Sequence, residues 1–551
     1  MAEPRFSVIT PVYDTPADVF WAMIGSVLAQ TYGDWELCLV DDCSPSPHVA
    51  ELLAQAEAAD PRIRVARRAE NGGIVAASND ALAMARGEFL AMLDHDDELH
   101  PDALAHVHEA LVAEPEADYV YTDEDKIDRA GHHSGPFFKP DWSPERMRTQ
   151  MYSCHLSVFR RSLVEEVGGF DAEFEGSQDW DMVLKVTERA RAVVHVPRVL
   201  YHWRMLETSA AGGGEAAKPW AFEAGKRAIQ AHCERTGVQA RCERDEHDPG
   251  VYHLVPELRS EPLVSIVIPT AGQRREVRYE DVVLVEHCVR SIVERSSYEH
   301  YEIVVVVDAG TDVEVLDALR EIAGARLKIE VFDRPFNFSE KINLGAAASS
   351  GEHLLLLNDD MEVIDAEWLQ RLVMYSQIEG VGAVGGRLIL QDGRLQHVGV
   401  RLQNGLPGHH YHGFSGEFRG YGNSVRVAGN YMAVTGACLM TPRALFEQLG
   451  GLPADLPVNY NDVDYCLRLR KAGQRVVYDP DLVLFHFESS SRSSAVSKWE
   501  KELFLKRWLP FTAVDPYANP NMRHDMPRLS APFKWAIRRR PWRRRPKGQL
   551  V

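Results

Sequence analysis

The chain has 551 residues, 45% of them hydrophobic and 26% charged, and a formal net charge of −20. That length exceeds what one hydrophobic core holds and points to two domains of about 200–250 residues, while the near-average composition excludes a disordered or fibrous chain. A body this acidic repels nucleic acid, and apolar runs such as Ile303–Val307 and Leu354–Leu357 fall far short of the roughly 20 residues that a membrane-spanning helix needs.

The first residues, MAEPRFSVIT, pass straight into a strand-like run without a basic stretch or apolar core, so no secretory signal is expected. Ser7–Tyr13 (SVITPVY) reads as a strand, Pro16–Gln30 as an amphipathic helix, and Leu37–Val40 as a strand running into Asp41 and Asp42. Val49–Ala58 and Pro101–Ala113 are further helix-length stretches, and between them Phe89–Leu93 leads into the acidic cluster Asp94–Asp97. SQDWDM places Asp179 and Asp181 near the start of a helix, and the short strand Val199–Tyr201 ends at His202. The helix-like Phe222–Gly237 and the charged, Pro- and Gly-containing Arg241–Pro262 then precede a second run of the same signals.

From Ser265 the order returns: SIVIPTA, VVVDAGT with Asp308, KINLGAAASSGEHLLLLNDDME with Asn343, Asn358 and Asp360, YNDVDY with Asp462 and Asp464, and VLFHFE with His486. Pairing these motifs with the first set gives offsets of 258, 267, 264, 283 and 284 residues. The drift is that of insertions in loops, and a period this long marks a duplicated domain, not a solenoid. In this pairing Asp308 stands for Asp41, Ala309 for Asp42, Asn358 for Asp94, Asp360 for Asp96 and His486 for His202. The expected fold class is α/β, two tandem domains, each a mostly parallel sheet flanked by helices. The expected division is 1–245, a linker at 246–262, 263–510, and a Pro-rich, basic tail at 511–551.

Carboxylates that directly follow buried parallel strands converge on the edge of the sheet where ligands bind. Crowded there they are costly unless a cation joins them, and Mg2+ or Mn2+ held by few protein oxygens keeps positions open for a diphosphate. The competing reading is a solvated acidic turn that caps the next helix. In Asp179-Trp180-Asp181 and Asp462-Val463-Asp464, one carboxylate can cap the helix while its neighbour serves as a general base, against the plainer reading that helix N-termini favour Asp anyway. His202 and His486 are candidate metal ligands or packed core histidines. His409, His410 and His412 read as an exposed or acceptor-facing loop, because no further Cys/His spacing supports a closed zinc site. The eight cysteines are scattered without a CxxC pair and read as reduced thiols. Lys534–Lys547 holds eight Lys and Arg and no acid, which suits either peripheral contact with an anionic membrane or a solubilising tail.

SVITPVY and SIVIPTA, VDDCS, NGGIVAASN, LDHDD and LLNDD, GSQDWDM and NDVDYCLRLRKAG, and the closing YHWR and FHFESSSR together resemble the motifs of the inverting family 2 glycosyltransferases, which have the GT-A fold. They span Arg5–Arg204 and Leu263–Arg492. FKPDWSPE at Phe138–Glu145 resembles tandem O-antigen and polysaccharide-assembly transferases of bacteria, and NDVDYCLRLRKAG resembles rhamnosyl- and galactofuranosyltransferase-type domains. The resemblance implies that Pro11, Asp41, Asp42, Asn79 and Asp94 hold the nucleotide sugar in the first half, and Pro269, Asp308, Asn343 and Asn358 in the second. It implies that Asp96 with His202, and Asp360 with His486, bind Mn2+ or Mg2+, and that Asp179 and Asp462 are the catalytic bases. Gln178, where many relatives carry Glu, leaves Asp179 as the base of its motif. The expected reaction is inverting transfer from UDP- or dTDP-sugars to a growing surface glycan on a lipid-linked acceptor. The expected place is the cytoplasm or the inner face of its membrane. An alternative keeps one domain catalytic and makes the other a glycan- or nucleotide-binding module. A nucleotidyltransferase would need a Gly-rich phosphate loop, which ITPVYDTP and IPTAGQRR lack.

Overall fold

The computed structural model describes residues 3–205, 219–487 and 496–522. The basic segment Lys534–Lys547, and with it the expected membrane contact, lies outside the described residues. Among the described residues no helix is long and apolar enough to cross a membrane.

The first half contributes β1 (Phe6–Val12), β2 (Trp35–Asp41), β3 (Ile63–Arg67), β4 (Phe89–Met92), β5 (Glu98–Leu99), β6 (Ala117–Ile127), β7 (His133–Phe137), β8 (Ser157–Arg160) and β9 (Ala192–Arg204). A hairpin of β10 (Ala240–Arg244) and β11 (Tyr252–Pro256) follows. The second half contributes β12 (Val264–Pro269), β13 (Arg274–Val277), β14 (Glu280–Val283), β15 (Tyr301–Asp308), β16 (Leu327–Phe332), β17 (His353–Leu357), β18 (Met361–Val363) and β19 (Val381–Ile389). It closes with β20 (Leu395–His397), β21 (Val400–Gln403), β22 (Leu406–His409), β23 (Gly429–Asn430), β24 (Cys438–Pro442) and β25 (Arg475–His486).

The two large sheets repeat one topology. The first runs β3-β2-β1-β4-β8-β6-β9-β5, the second β16-β15-β12-β17-β24-β19-β25-β18. The strands β3, β2, β1, β4, β6 and β9 point one way; β8 and β5 oppose them. Strands such as FSVITPV and WELCLVD are buried along their whole length, as expected where helices cover both faces of a parallel sheet.

Matching hydrogen bonds fix which positions correspond. Ser7 Oγ donates to Glu36 Oε1 at 2.7 Å, as Ser265 Oγ does to Glu302 Oε1 at 2.7 Å. Gly87 N donates to Ser7 Oγ and Gly351 N to Ser265 Oγ. Leu99 N donates to Ser26 Oγ and Val363 N to Ser291 Oγ, each at 3.1 Å. With Glu36 on Glu302, counting six residues on puts Asp42 on Asp308 and leaves Val307 at the place of Asp41. The motif pairing of Asp41 with Asp308 is therefore corrected by one residue, because strand pairing measures position along the backbone and the repeated letter D does not.

The halves are joined by buried and partly buried polar contacts. Ser143 Oγ donates to Asn430 Oδ1 at 2.8 Å, Arg475 Nε to the fully buried Glu145 Oε1 at 3.1 Å, and Tyr421 OH to Pro136 O at 2.6 Å. Tyr421 belongs to the segment between β22 and β23, within the stretch where the repeat offset steps up most. Asn519 Nδ2 reaches back to Asp123 Oδ2 at 2.9 Å. The β10–β11 hairpin touches both halves: Tyr252 N donates to Thr149 O, and Arg371 donates to Leu254 O.

Candidate active site

In the first half the loop after β4 crowds Asp94, Asp96 and Asp97, whose carboxylate oxygens lie within 4.8 Å of one another. Asp97 is fully buried and accepts from Tyr201 OH at 2.5 Å and from Arg204 N at 2.7 Å. Burial pushes its carboxyl well above the usual range, and the charges of Asp96 and Asp94 push it further. Three carboxylates so placed fit a divalent cation, which removes the like-charge cost.

Asp179 opens the helix Gln178–Thr187 and accepts from Gln178 Nε2 at 3.1 Å. Burial, with Asp94 adding and His155 opposing, raises its carboxyl to about 6. Its helix neighbour Asp181 faces inward and is paired with Lys185 Nζ at 2.8 Å. The same division of labour recurs in the second half. Asp464 is buried and accepts from Arg468, Arg507 and Trp508, whereas Asp462 accepts from the backbone N–H groups of Gly436 and Val463, each at 2.8 Å, with the Thr435 side chain also beside it. Burial raises the Asp462 carboxyl too. Of each spaced pair, the first carboxylate is thus the candidate base and the second a structural anchor.

His155 is a site residue that the motifs did not reveal. It stacks on Tyr201 at 4.7 Å and faces Glu124 Oε2 at 3.2 Å. Burial alone would lower its imidazole, but Glu124, joined by Asp94 and Asp97, raises it to about 9. The buried Lys139 of the FKPDWSPE segment donates to His155 O at 2.8 Å and sits 3.3 Å from Glu124. Counting back along β8 and β24 puts Ala437 at this position in the second half, so the repeat carried no signal for it.

The expected nucleotide residues separate into two groups. Pro11 and Pro269 lie in the buried ends of β1 and β12. Asp42 accepts from Gly72 N and Gly73 N at 2.9 and 2.8 Å and faces Arg68, at the start of the helix Gly73–Met84. Asp41 is fully buried, held by Ser44 and Arg67. Asp308 faces the buried Lys341 at 2.5 Å. Asn358 takes the place of Asp94, its backbone N–H on Ala437 O. Asn79, however, spends both amide atoms on one peptide, donating to Phe170 O at 2.9 Å and accepting from Phe170 N at 3.0 Å. Asn343 does the same to Leu452, at 2.8 and 2.9 Å. Each clamps a turn whose second glycine has positive φ, Gly169 at +75° and Gly451 at +69°, with no room for a Cβ beside the amide oxygen. The geometry of both asparagines is that of a backbone clamp, which differs from the nucleotide contact implied by the resemblance.

His202 departs from its expected place beside Asp96. Glu98 pairs with His202 across β5 and β9, while Glu362, at the place of Glu98, pairs with Phe485 across β18 and β25; His486 pairs with Met361. The register differs by one residue, and in a strand that turns a side chain to the opposite face. His486 Nε2 accordingly lies 3.2 Å from Asp360 Oδ1. His202 Nδ1 instead lies 2.6 Å from Asp125 Oδ1, and Trp203 takes the face toward His155, with ring centroids 5.5 Å apart.

The histidine-rich loop of the second half is not merely exposed. His409 Nδ1 is 2.8 Å from His397 Nδ1, and His397 Nε2 accepts from Gly399 N and Thr435 N. His397 therefore carries its proton on Nδ1 and donates it to His409 Nδ1. Burial, then His409 and His486, keep His397 well below the usual imidazole range.

The family model of glycosyl transferase family 2 matches residues 7–168, and that of the glycosyltransferase-like family 2 matches 262–504. The chain is 40% identical over 550 residues to the protein y4gI of Sinorhizobium fredii, covering 97% of this chain and 59% of that one. It is 36% identical over 524 residues to the O-antigen biosynthesis protein RfbC of Myxococcus xanthus, covering 94% of this chain and 40% of that one. It thus spans between two fifths and three fifths of these relatives. Among solved structures, residues 1–349 of S. aureus TarS in complex with UDP-GlcNAc align at 21% identity with a TM-score of 0.34, covering 41% of this chain and 66% of that one.

Proposed function

Since the chain belongs to glycosyl transferase family 2, we propose that each half transfers a sugar from a UDP- or dTDP-linked donor to an acceptor hydroxyl of a growing surface glycan, with inversion at the anomeric carbon. The observation that carries this reading is the recurrence, in both halves, of a partly buried Asp at a helix start, Asp179 or Asp462, in the same fold as an acidic loop after β4 or β17. The kinship with a protein named for O-antigen biosynthesis supports the glycan acceptor.

In the first half Asp94 and Asp96 would hold Mg2+ or Mn2+; in the second, Asp360 and His486 would. When bound, such an ion would neutralise charge on the departing diphosphate. Asp179 takes the proton of the acceptor hydroxyl. Its raised carboxyl suits a general base, being ionised near neutrality yet basic enough to accept. Asp97, Tyr201 and Arg204 brace the acidic loop from behind, and Asp42 orients the helix start beside which the donor would lie.

One observation favours a second reading, in which the second half is a binding module: both oxygens of Asp462 are already engaged by backbone N–H groups. Transfer from a panel of UDP- and dTDP-sugars, in Mn2+ or Mg2+, separates the readings with Asp179→Asn, Asp462→Asn and the double variant. Two active sites require each single variant to lose transfer from a different donor. A silent Asp462→Asn on every donor makes the second half a binding module, and silence of both variants would falsify the proposed bases.

A further inference from the structure

The one-residue register difference that takes His202 away from the acidic loop delivers it to another group. Asp125 on β6 lies directly across from His202 on β9, and β7 brings His133 alongside. Asp125 Oδ1 is 2.6 Å from His202 Nδ1 and its Oδ2 is 3.0 Å from His133 Nδ1. The ligand atoms of all three residues lie within 4.8 Å of one another, and the imidazole rings meet edge to face with centroids 4.5 Å apart. The Asp125 side chain is 1% exposed, His202 12% and His133 39%, so the group is anchored inside and open at one corner.

Side chains alternate across a strand. Tyr201, the neighbour of His202, faces Asp97 and stacks on His155; Glu124, the neighbour of Asp125, also faces His155. His202 and Asp125 therefore lie on the other face of the sheet from Tyr201, Glu124 and His155, in a group separate from Asp94, Asp96 and Asp97. We infer that Asp125, His133 and His202 form a binding site for a transition-metal ion of the Zn2+ type, distinct from the all-oxygen group Asp94, Asp96 and Asp97.

Two imidazole nitrogens and one carboxylate make the donor set that borderline ions such as Zn2+ and Co2+ prefer, whereas Mg2+ prefers oxygens alone. Two ligands of a tetrahedral Zn2+ stand about 3.3 Å apart, at about 2.0 Å from the ion. From the present 3.0 and 2.6 Å, the carboxylate would have to part from the His133 ring by about 0.3 Å and from the His202 ring by about 0.7 Å, and the exposed His133 side chain leaves room for that adjustment. To offer Nδ1 to the ion, each ring would carry its proton on Nε2. The ion would fasten β7 to β6 and β9. β7 runs directly into Pro136–Phe138, which exchange hydrogen bonds with Tyr421 of the second half. The site thus anchors the ribbon that carries a contact between the halves.

Co2+ titration of the full, untagged chain in excess Mg2+ tests the assignment, read by ligand-field absorption and by equilibrium dialysis. One equivalent of Co2+ should bind with imidazole character, withstand Mg2+, and persist in Asp96→Asn. His133→Ala, a change at an exposed side chain, should weaken it at least tenfold, since even outer-shell partners of a metal are worth about 10–100-fold. His202→Ala should do the same. Zn2+ should also slow amide hydrogen exchange across His133–Phe137 in the wild type but not in His133→Ala. Equal Co2+ binding by wild type and His133→Ala overturns the inference, as does displacement of Co2+ by Mg2+ or a loss that follows His409→Ala instead.

Discussion

Replacing Asn79 by alanine removes two hydrogen bonds to the backbone of Phe170, at 2.9 and 3.0 Å. Each is worth about 1 kcal/mol net, and stranding a buried N–H or C=O costs about 1–3 kcal/mol. Phe170 is only 5% exposed, so water reaches the freed groups poorly and the first half should lose about 2–4 kcal/mol. A domain of this size shifts its midpoint by about 2–4 °C per kcal/mol, which gives a fall of roughly 5–15 °C, measured by circular dichroism on heating. Asn343→Ala, which frees Leu452, should do the same to the second half. Asn79→Asp should fall between, because a carboxylate still accepts from Phe170 N but cannot donate to Phe170 O. Donor affinity, measured by nucleotide competition below the melting range, should change less than about threefold. If Asn79→Ala melts with the wild type while donor affinity falls tenfold or more, the clamp is wrong and the amide contacts the nucleotide.

Transfer by the first half should fall as pH drops through about 6, since Asp179 must be ionised and its carboxyl is raised to about 6. Because that pKa is raised in the fold, the protonated form is the stabilising one and its contribution fades as pH rises toward 6. Asp179→Asn should therefore lose transfer while melting no lower than wild type at pH 7. Glu145 behaves oppositely: burial pushes its carboxyl up, but Arg475 and Arg148 hold it below the usual range, so its stabilisation is present at neutral pH and is lost on acidification. Arg475→Met should cost about 1–3 kcal/mol at pH 7, and a pH-independent difference from wild type in urea melts would contradict that origin. Chelation by EDTA should abolish transfer and added Mn2+ or Mg2+ should restore it; full activity after dialysis against EDTA would remove the metal from the reaction.

Much of the site was legible because chemistry and chain order coincide locally. Apolar runs ending in Asp41–Asp42, Asp94–Asp97 or Asp360 announce strand ends at a ligand-binding edge, and Asp179 and Asp462 each sit in a helix-opening motif. His155 was illegible, since its importance comes from Glu124, Tyr201 and Asp97, which converge only in space, and its counterpart is Ala437. His397 was missed because its partner His409 lies on a different ribbon.

The sequence by itself determined the duplication, the α/β class, and the family, because a repeated order of apolar strands and acidic turns survives loop insertions. Only the tertiary structure decided that Asp42, not Asp41, corresponds to Asp308, that Asn79 and Asn343 clamp backbone, and that His202 and His486 face opposite ways. The physical reason is the two-residue period of a strand: a slip of one position leaves a motif unchanged to the eye, yet moves its side chain to the other side of the sheet.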